Sequence, residues 1–125
     1  MMILKGHVHA EGVKHFSRRM TAYPDVFFKA TGEKLFPGTL NVKMDKPIPI
    51  KERFRIKGIE INEPEQDLLF EICRVHGFWA YRIRPFNLKT GSGGWGDHIL
   101  EITSSNTLPN APGTEIEISL FRDSI

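Results

Sequence analysis

The sequence predicts a mainly β protein, a small closed six-stranded barrel with one short helix. Six or seven short segments alternate apolar and polar residues at the period of two that half-buried strands require. Glycine, proline and asparagine turns separate them at the even spacing typical of small barrels. Helix signals are confined to residues 16–32. Closure would remove the sheet edges; an open α+β sheet is the alternative arrangement.

Residues 3–10 form the first expected strand, with Leu4, Gly6, Val8 and Ala10 on one face and Lys5, His7 and His9 on the other. His7 and His9, two residues apart on one face, suit a metal such as Zn²⁺, with Glu11 beside them if the strand continues. Two solvent-facing strand histidines is the competing reading, because no third histidine follows at a short fixed spacing. Residues 11–15 form a polar loop around Gly12. Pro24 sits where a first helical turn tolerates it, Val26, Phe27 and Ala30 make an apolar stripe, and Gly32 can stop the helix. Lys14, Arg18 and Arg19 precede this helix, either as a solvated basic face or as groups that approach phosphates.

The stretch 36–44 is the most informative. Pro37-Gly38 is a turn dipeptide, and the strand after it places Leu40, Val42 and Met44 on one face and Thr39, Asn41 and Lys43 on the other. The second face presents two neutral hard oxygens, which suit Mg²⁺, and an ammonium, which suits a phosphate. The same pattern also describes a half-buried strand with no ligand.

Two prolines exclude a central strand over 45–50. Residues 54–57 alternate, and Ile59-Glu60-Ile61 continue the β character after Gly58. Residues 68–76 and 78–84 form a hairpin turning at His76-Gly77. Cys73 lies inside this strand pattern as a core filler rather than a nucleophile. Residues 87–97 form a glycine-rich surface loop whose Trp95 can cover a flat ring. Gly91 and Gly96 have phosphate-loop separation, but Asp97 stands where that motif needs lysine. Strands follow over 98–103, around Glu101, and over 114–121, with Ile116, Ile118 and Leu120 inward.

The 125 residues suit one domain spanning 1–125, and 26% charged with 40% hydrophobic residues suits a soluble globule. A net charge of +2 is too mild to argue for a nucleic-acid partner. The single cysteine allows no internal disulfide and fits a reduced, cytoplasmic setting. The apolar run at 1–6 is too short for a signal peptide, and no run reaches membrane-spanning length, so no membrane partner is expected.

The run Pro37-Gly38-Thr39-Leu40-Asn41-Val42-Lys43-Met44, after a loop and helix and before a proline-rich connection, resembles the archaeal CTP-dependent riboflavin kinases. The order of pieces matches that family along most of the chain. The family is a six-stranded cradle-loop barrel that transfers the γ-phosphate of CTP to the ribityl hydroxyl of riboflavin, giving FMN and CDP. The resemblance implies Thr39 and Asn41 as Mg²⁺ ligands; Lys43 would assist if its side chain reaches the phosphates. It implies Glu101 as the flavin-binding glutamate, placed to take the acceptor's proton. Thr90 is the nearest counterpart of a flavin-binding threonine, in a longer loop than the family's. The cytosine loop corresponds to Asn106, Thr107, Leu108 and Pro109. The family's glycine-rich first loop is shorter here and keeps only Gly12, with Lys14 and His15 bringing charge in its place. The expected ligands are therefore CTP or another nucleotide, riboflavin or FMN, and Mg²⁺. A non-catalytic nucleotide- or flavin-binding barrel is the second reading. A metal enzyme built on His7, His9 and His98 is the third.

Overall fold

The computed structural model describes residues 1–9, 15–91 and 96–125. Its strands are β1 (Met2–Val8), β2 (Leu40–Lys43), β3 (Phe54–Ile56), β4 (Gln66–Val75), β5 (Phe78–Asn87), β6 (Ile99–Thr103) and β7 (Glu115–Leu120). Six of them, in the order β4-β5-β6-β2-β1-β7, close into an antiparallel barrel when β7 pairs back onto β4. This is the small closed barrel that the alternation predicts. β3 is the seventh strand, outside the ring. It pairs with the first half of β4 (Phe54↔Phe70, Ile56↔Leu68), and β7 takes the same edge further on (Cys73↔Leu120, Val75↔Ile118). Glu71 and Ile72 fall in the fork between those two neighbours.

Alternation sorts the side chains into two cores. Val42, Cys73, Leu100, Ile102, Ile116, Ile118 and Leu120 fill the barrel. Outside it, Phe70, Tyr81 and Ile83 meet Phe16, Met20 and Phe27 from two short helices, α1 (His15–Ala22) and α2 (Pro24–Thr31). Strands β4 and β5 are thus buried on both faces. The edge-to-face pair Phe27–Phe70 (6.3 Å between centroids) and the stacked pair Phe54–Phe70 (4.8 Å) knit the outer core. Burial pushes the Cys73 thiol up to about 12, so it is an inert core group.

Two local readings of the sequence change. The single expected helix is a pair. Pro24 starts α2, and Gly32 ends it in the left-handed region at φ 74°, its N–H bonded to the Phe28 carbonyl. The preceding helix α1 forms because Phe16 and Met20, four residues apart, both reach the outer core. Residues 59–61, expected to be β, lie in a 3₁₀ turn over Gly58–Ile61. Gly58 donates its N–H to Asp67 Oδ1 at 2.9 Å, and a Cβ there would stand 1.8 Å from the Gln66 carbonyl oxygen. Asn62 then leaves the turn at φ 58°. Local hydrogen bonding outweighs the β preference of the two isoleucines, and Ile59 is left 74% exposed. The β4–β5 hairpin turns where expected, with His76 and Gly77 at φ 49° and 84°. β5 continues through Pro85 because β6 pairs only with Tyr81–Ile83, so no ladder needs the missing N–H on that side.

Ile118 is fully buried between Leu4 and Val75 partners, whereas Ile3 on the outer face is 57% exposed. Ile118→Ala should lower unfolding free energy by about 2–5 kcal/mol. Ile3→Ala should cost no more than about 1 kcal/mol. Urea denaturation followed by circular dichroism measures both, and equal losses would contradict the assigned faces.

Candidate functional site

β2 runs antiparallel to β6 with Leu40 opposite Ile102, Asn41 opposite Glu101 and Val42 opposite Leu100. The aliphatic members enter the barrel, so Thr39, Asn41, Glu101 and Thr103 share the outer face. There α1, the 36–39 turn and the 104–110 loop enclose a cleft of about 540 Å³. Gly38, at φ 117°, makes the turn into β2, a conformation open to glycine alone. Its N–H points at Met20 Sδ, 3.2 Å away. The loop after β6 is tied at three places. Ser104 Oγ donates to the Trp79 carbonyl at 2.7 Å, Ser105 Oγ to Glu33 Oε1 at 2.9 Å, and the Phe36 N–H to the Ser104 carbonyl at 3.0 Å. Tyr81 also donates to Glu33, so that carboxylate joins β5, the tail of α2 and the loop.

Thr39, Asn41, Asn106, Thr107 and Leu108 line this cleft. Pro109 lies in the same loop, exposed. Glu101 is 8% exposed and accepts a hydrogen bond from the Thr39 hydroxyl. Burial raises its carboxyl from 4.5 to about 7, against the opposing pull of the Arg19 charge and the Thr39 bond. The Arg19 guanidinium is held by both oxygens of Glu63, at 2.6 and 2.8 Å, and lies over the Phe16 ring. Asn41 Oδ1 is buried and has no hydrogen-bond partner among the described residues. An orphaned acceptor of that kind is costly unless something outside the chain satisfies it.

Other sequence-predicted residues fall elsewhere. Lys43 is exposed opposite His7 and Ile99, and is not part of the cleft lining. Thr90 is exposed in the turn after β5, its N–H on Asn87 Oδ1 at 3.1 Å, and is also outside the lining. His15 opens α1. Gly12, Lys14 and Trp95 lie outside the described residues. His9 lines the cleft, His7 is exposed on β1, and His98 is exposed just before β6. Among the described residues no three of His, Cys, Asp and Glu gather as a metal cluster. No described helix is long and apolar enough to cross a membrane.

The sequence reading did not assign Ser17, Phe36 or Asn110 to the cleft, which they line. Phe36 is 53% exposed at the mouth, directly before the Pro37-Gly38 turn, and that adjacency was its only signal. Arg19 was visible only as part of a basic cluster. No protein-family model matches the chain, and no curated protein matches it.

The Glu101 shift has a defined sign. An unfolded glutamate ionises near 4.5, whereas this one holds its proton to about 7. Its contribution to stability is full below 4.5 and is lost as pH rises through about 7. Glu101→Gln should therefore be more stable than the parent at pH 8 and should lose that advantage at pH 4. A carboxyl ¹³C titration should place the Glu101 midpoint near 7, and higher still in Thr39→Val, which removes the bond favouring the charged form. A midpoint near 4.5 would contradict the buried placement.

Proposed function

We propose that this barrel is a CTP-dependent riboflavin kinase-like phosphotransferase, passing a nucleotide γ-phosphate to riboflavin to give FMN in a cytoplasmic setting. The observation that carries the reading is that Thr39, Asn41 and the 106–108 loop line one cleft, with Glu101 behind its wall on the Thr39 hydroxyl and Asn41 Oδ1 buried and, among the described residues, unpartnered. A carboxamide oxygen and a hydroxyl oxygen beside a carboxylate fit Mg²⁺, which takes one or two protein oxygens and completes its shell with water and phosphate. When bound, the ion would neutralise phosphate charge as it develops.

The chain's own groups do the rest. Asn41 and Thr39 fix the metal-phosphate end against β2. Asn106, Thr107 and Leu108 border the place for the base. Glu101 accepts the acceptor hydroxyl's hydrogen bond, and a carboxyl titrating near 7 can take its proton at neutral pH. Alignment contributes more than proton removal, because phosphoryl transfer depends mainly on positioning and electrostatics. Lys43 would act on the phosphates from outside the cleft lining.

A second reading is a non-catalytic nucleotide- or flavin-binding barrel, favoured by the single glycine in the loop around Gly12. The test is an assay with riboflavin, Mg²⁺ and each nucleoside triphosphate, separating FMN from riboflavin. FMN is expected with CTP, and Asn41→Ala should abolish turnover while leaving the circular dichroism spectrum unchanged. Binding of flavin or nucleotide without FMN would favour the second reading. Unchanged turnover in Asn41→Ala would remove the metal assignment.

A further inference from the structure

The fork in the β4 edge opens a second cleft, of about 390 Å³, remote from the first in its lining. Lys51, Glu52, Arg53, Glu71, Ile72, Trp79 and Phe121 form its walls. None of these residues lines the larger cleft.

Its aromatic wall is unusual for a surface. Trp79 and Phe121 stack at 5.5 Å between centroids and 28° between planes. They remain 46% and 47% exposed, beside a 50% exposed Phe78. The Arg74 guanidinium lies 4.3 Å from the Trp79 ring centre but is not part of the cleft wall. Grouped exposed aromatics mark binding surfaces more often than bare protein surface.

The charges around the cleft do not balance locally. Glu52 accepts hydrogen bonds from Arg55 Nε and Nη2, each at 2.6 Å. Glu71 is occupied by Arg122 at 3.2 Å, by Arg82 at 3.8 Å and by the Lys51 backbone N–H at 3.1 Å. Both carboxylates are therefore neutralised from within. Among the described residues, the Lys51 ammonium and the Arg53 guanidinium have no acidic partner. A concave apolar wall with two uncommitted cations at its rim complements a ring that carries negative charge.

We propose that this cleft is a second binding site, for a small planar aromatic anion such as a ring bearing a phosphate. The ring packs against Trp79, Phe121 and Ile72, and the anionic group meets Lys51 and Arg53. The inference does not depend on the phosphotransferase reading.

The test is a ¹H–¹⁵N NMR titration of the full chain with 1-naphthyl phosphate, and with neutral 1-naphthol as the control. Saturable shifts are expected at the Trp79 indole and at the amides of residues 51–53 and 121, with 1-naphthol binding more weakly. The double variant Lys51→Glu, Arg53→Glu changes only exposed side chains. It should raise the dissociation constant for 1-naphthyl phosphate about tenfold, the sum of two reversed surface pairs, and leave that for 1-naphthol unchanged. Trp79→Ala should weaken both. The proposal is overturned if shifts appear only around Thr39 and Asn41, or if the double variant binds 1-naphthyl phosphate as the parent does.

Discussion

The register of β2 against β6 holds both the barrel and the cleft in place. Leu40↔Ile102 and Val42↔Leu100 send four aliphatic side chains inward, and Asn41↔Glu101 must then face outward. Because the strand period is two, a slip of one residue would exchange the sets. Four apolar side chains would lose burial worth about 1.5–3 kcal/mol each. Asn41 and Glu101 would enter the barrel interior without partners, at a further cost of several kcal/mol. The apolar core therefore specifies the polar site. The turn at Gly38 and the loop after Thr103 come together for the same reason, since both leave the same end of this one ladder.

The outer face becomes a cleft only because something covers it. Helix α1 supplies part of that cover, and its docking beside α2 depends on the far side of β4 and β5. Phe16, Met20 and Phe27 need Phe70, Tyr81 and Ile83, which project outward because Cys73, Val75 and Ala80 project inward. A chain of polar contacts fixes the helices more closely. Asp67 receives the Gly58 N–H, the Gly58–Ile61 turn ends beside Glu63, and Glu63 grips Arg19 on α1. Arg19 is in turn the cation that most favours ionised Glu101. A glycine in a 3₁₀ turn thus bears on the ionisation of a carboxyl on another strand. The buried groups at the β4 fork follow the same economy: Arg82, 1% exposed, stands between Glu71 and Asp97 at 3.8 Å from each.

Much of this was legible from periodicity. The faces of Leu40, Val42 and Met44, of Ile116, Ile118 and Leu120, and the turn at His76-Gly77 follow from alternation and turn chemistry alone. Helix α1 was not legible, because its apolar contribution is only Phe16 and Met20, and the strands they pack against come much later in the chain. The 3₁₀ turn was not legible either: two isoleucines argued for β structure, and the carbonyls crowding Gly58 are a tertiary fact. In the candidate site, Thr39 and Asn41 stood out because they share one strand face. Their nearness to Glu101 required the β2–β6 register, which no local pattern encodes. Ser17 and Phe36 reach the cleft from the helix and the turn, where exposure and composition are uninformative. Thr90 fell outside the lining because the loop after β5 leaves from the end of β5 opposite Tyr81, the residue that pairs with Thr103.

The charge balance of the larger cleft bears on what it can hold. Ser17, Thr39, Asn41, Thr103, Ser104, Asn106, Thr107 and Asn110 give it a polar lining, and among the described lining residues His9 is the only histidine. No lysine or arginine belongs to that described lining, and Arg19 is already engaged by Glu63. A neutral sugar or ring hydroxyl would find ample hydrogen-bonding partners there. A triphosphate would find partners but little positive charge, and hydrogen bonds alone compensate several negative charges poorly in a partly dry site. Under the phosphotransferase reading, a bound divalent cation is therefore a requirement of the cleft's electrostatics, not an accessory. The same balance explains why the metal would be held by a hydroxyl and a carboxamide. Two neutral ligands leave the ion's full charge available to the phosphates, whereas a pair of ionised carboxylates would cancel it before the nucleotide arrived.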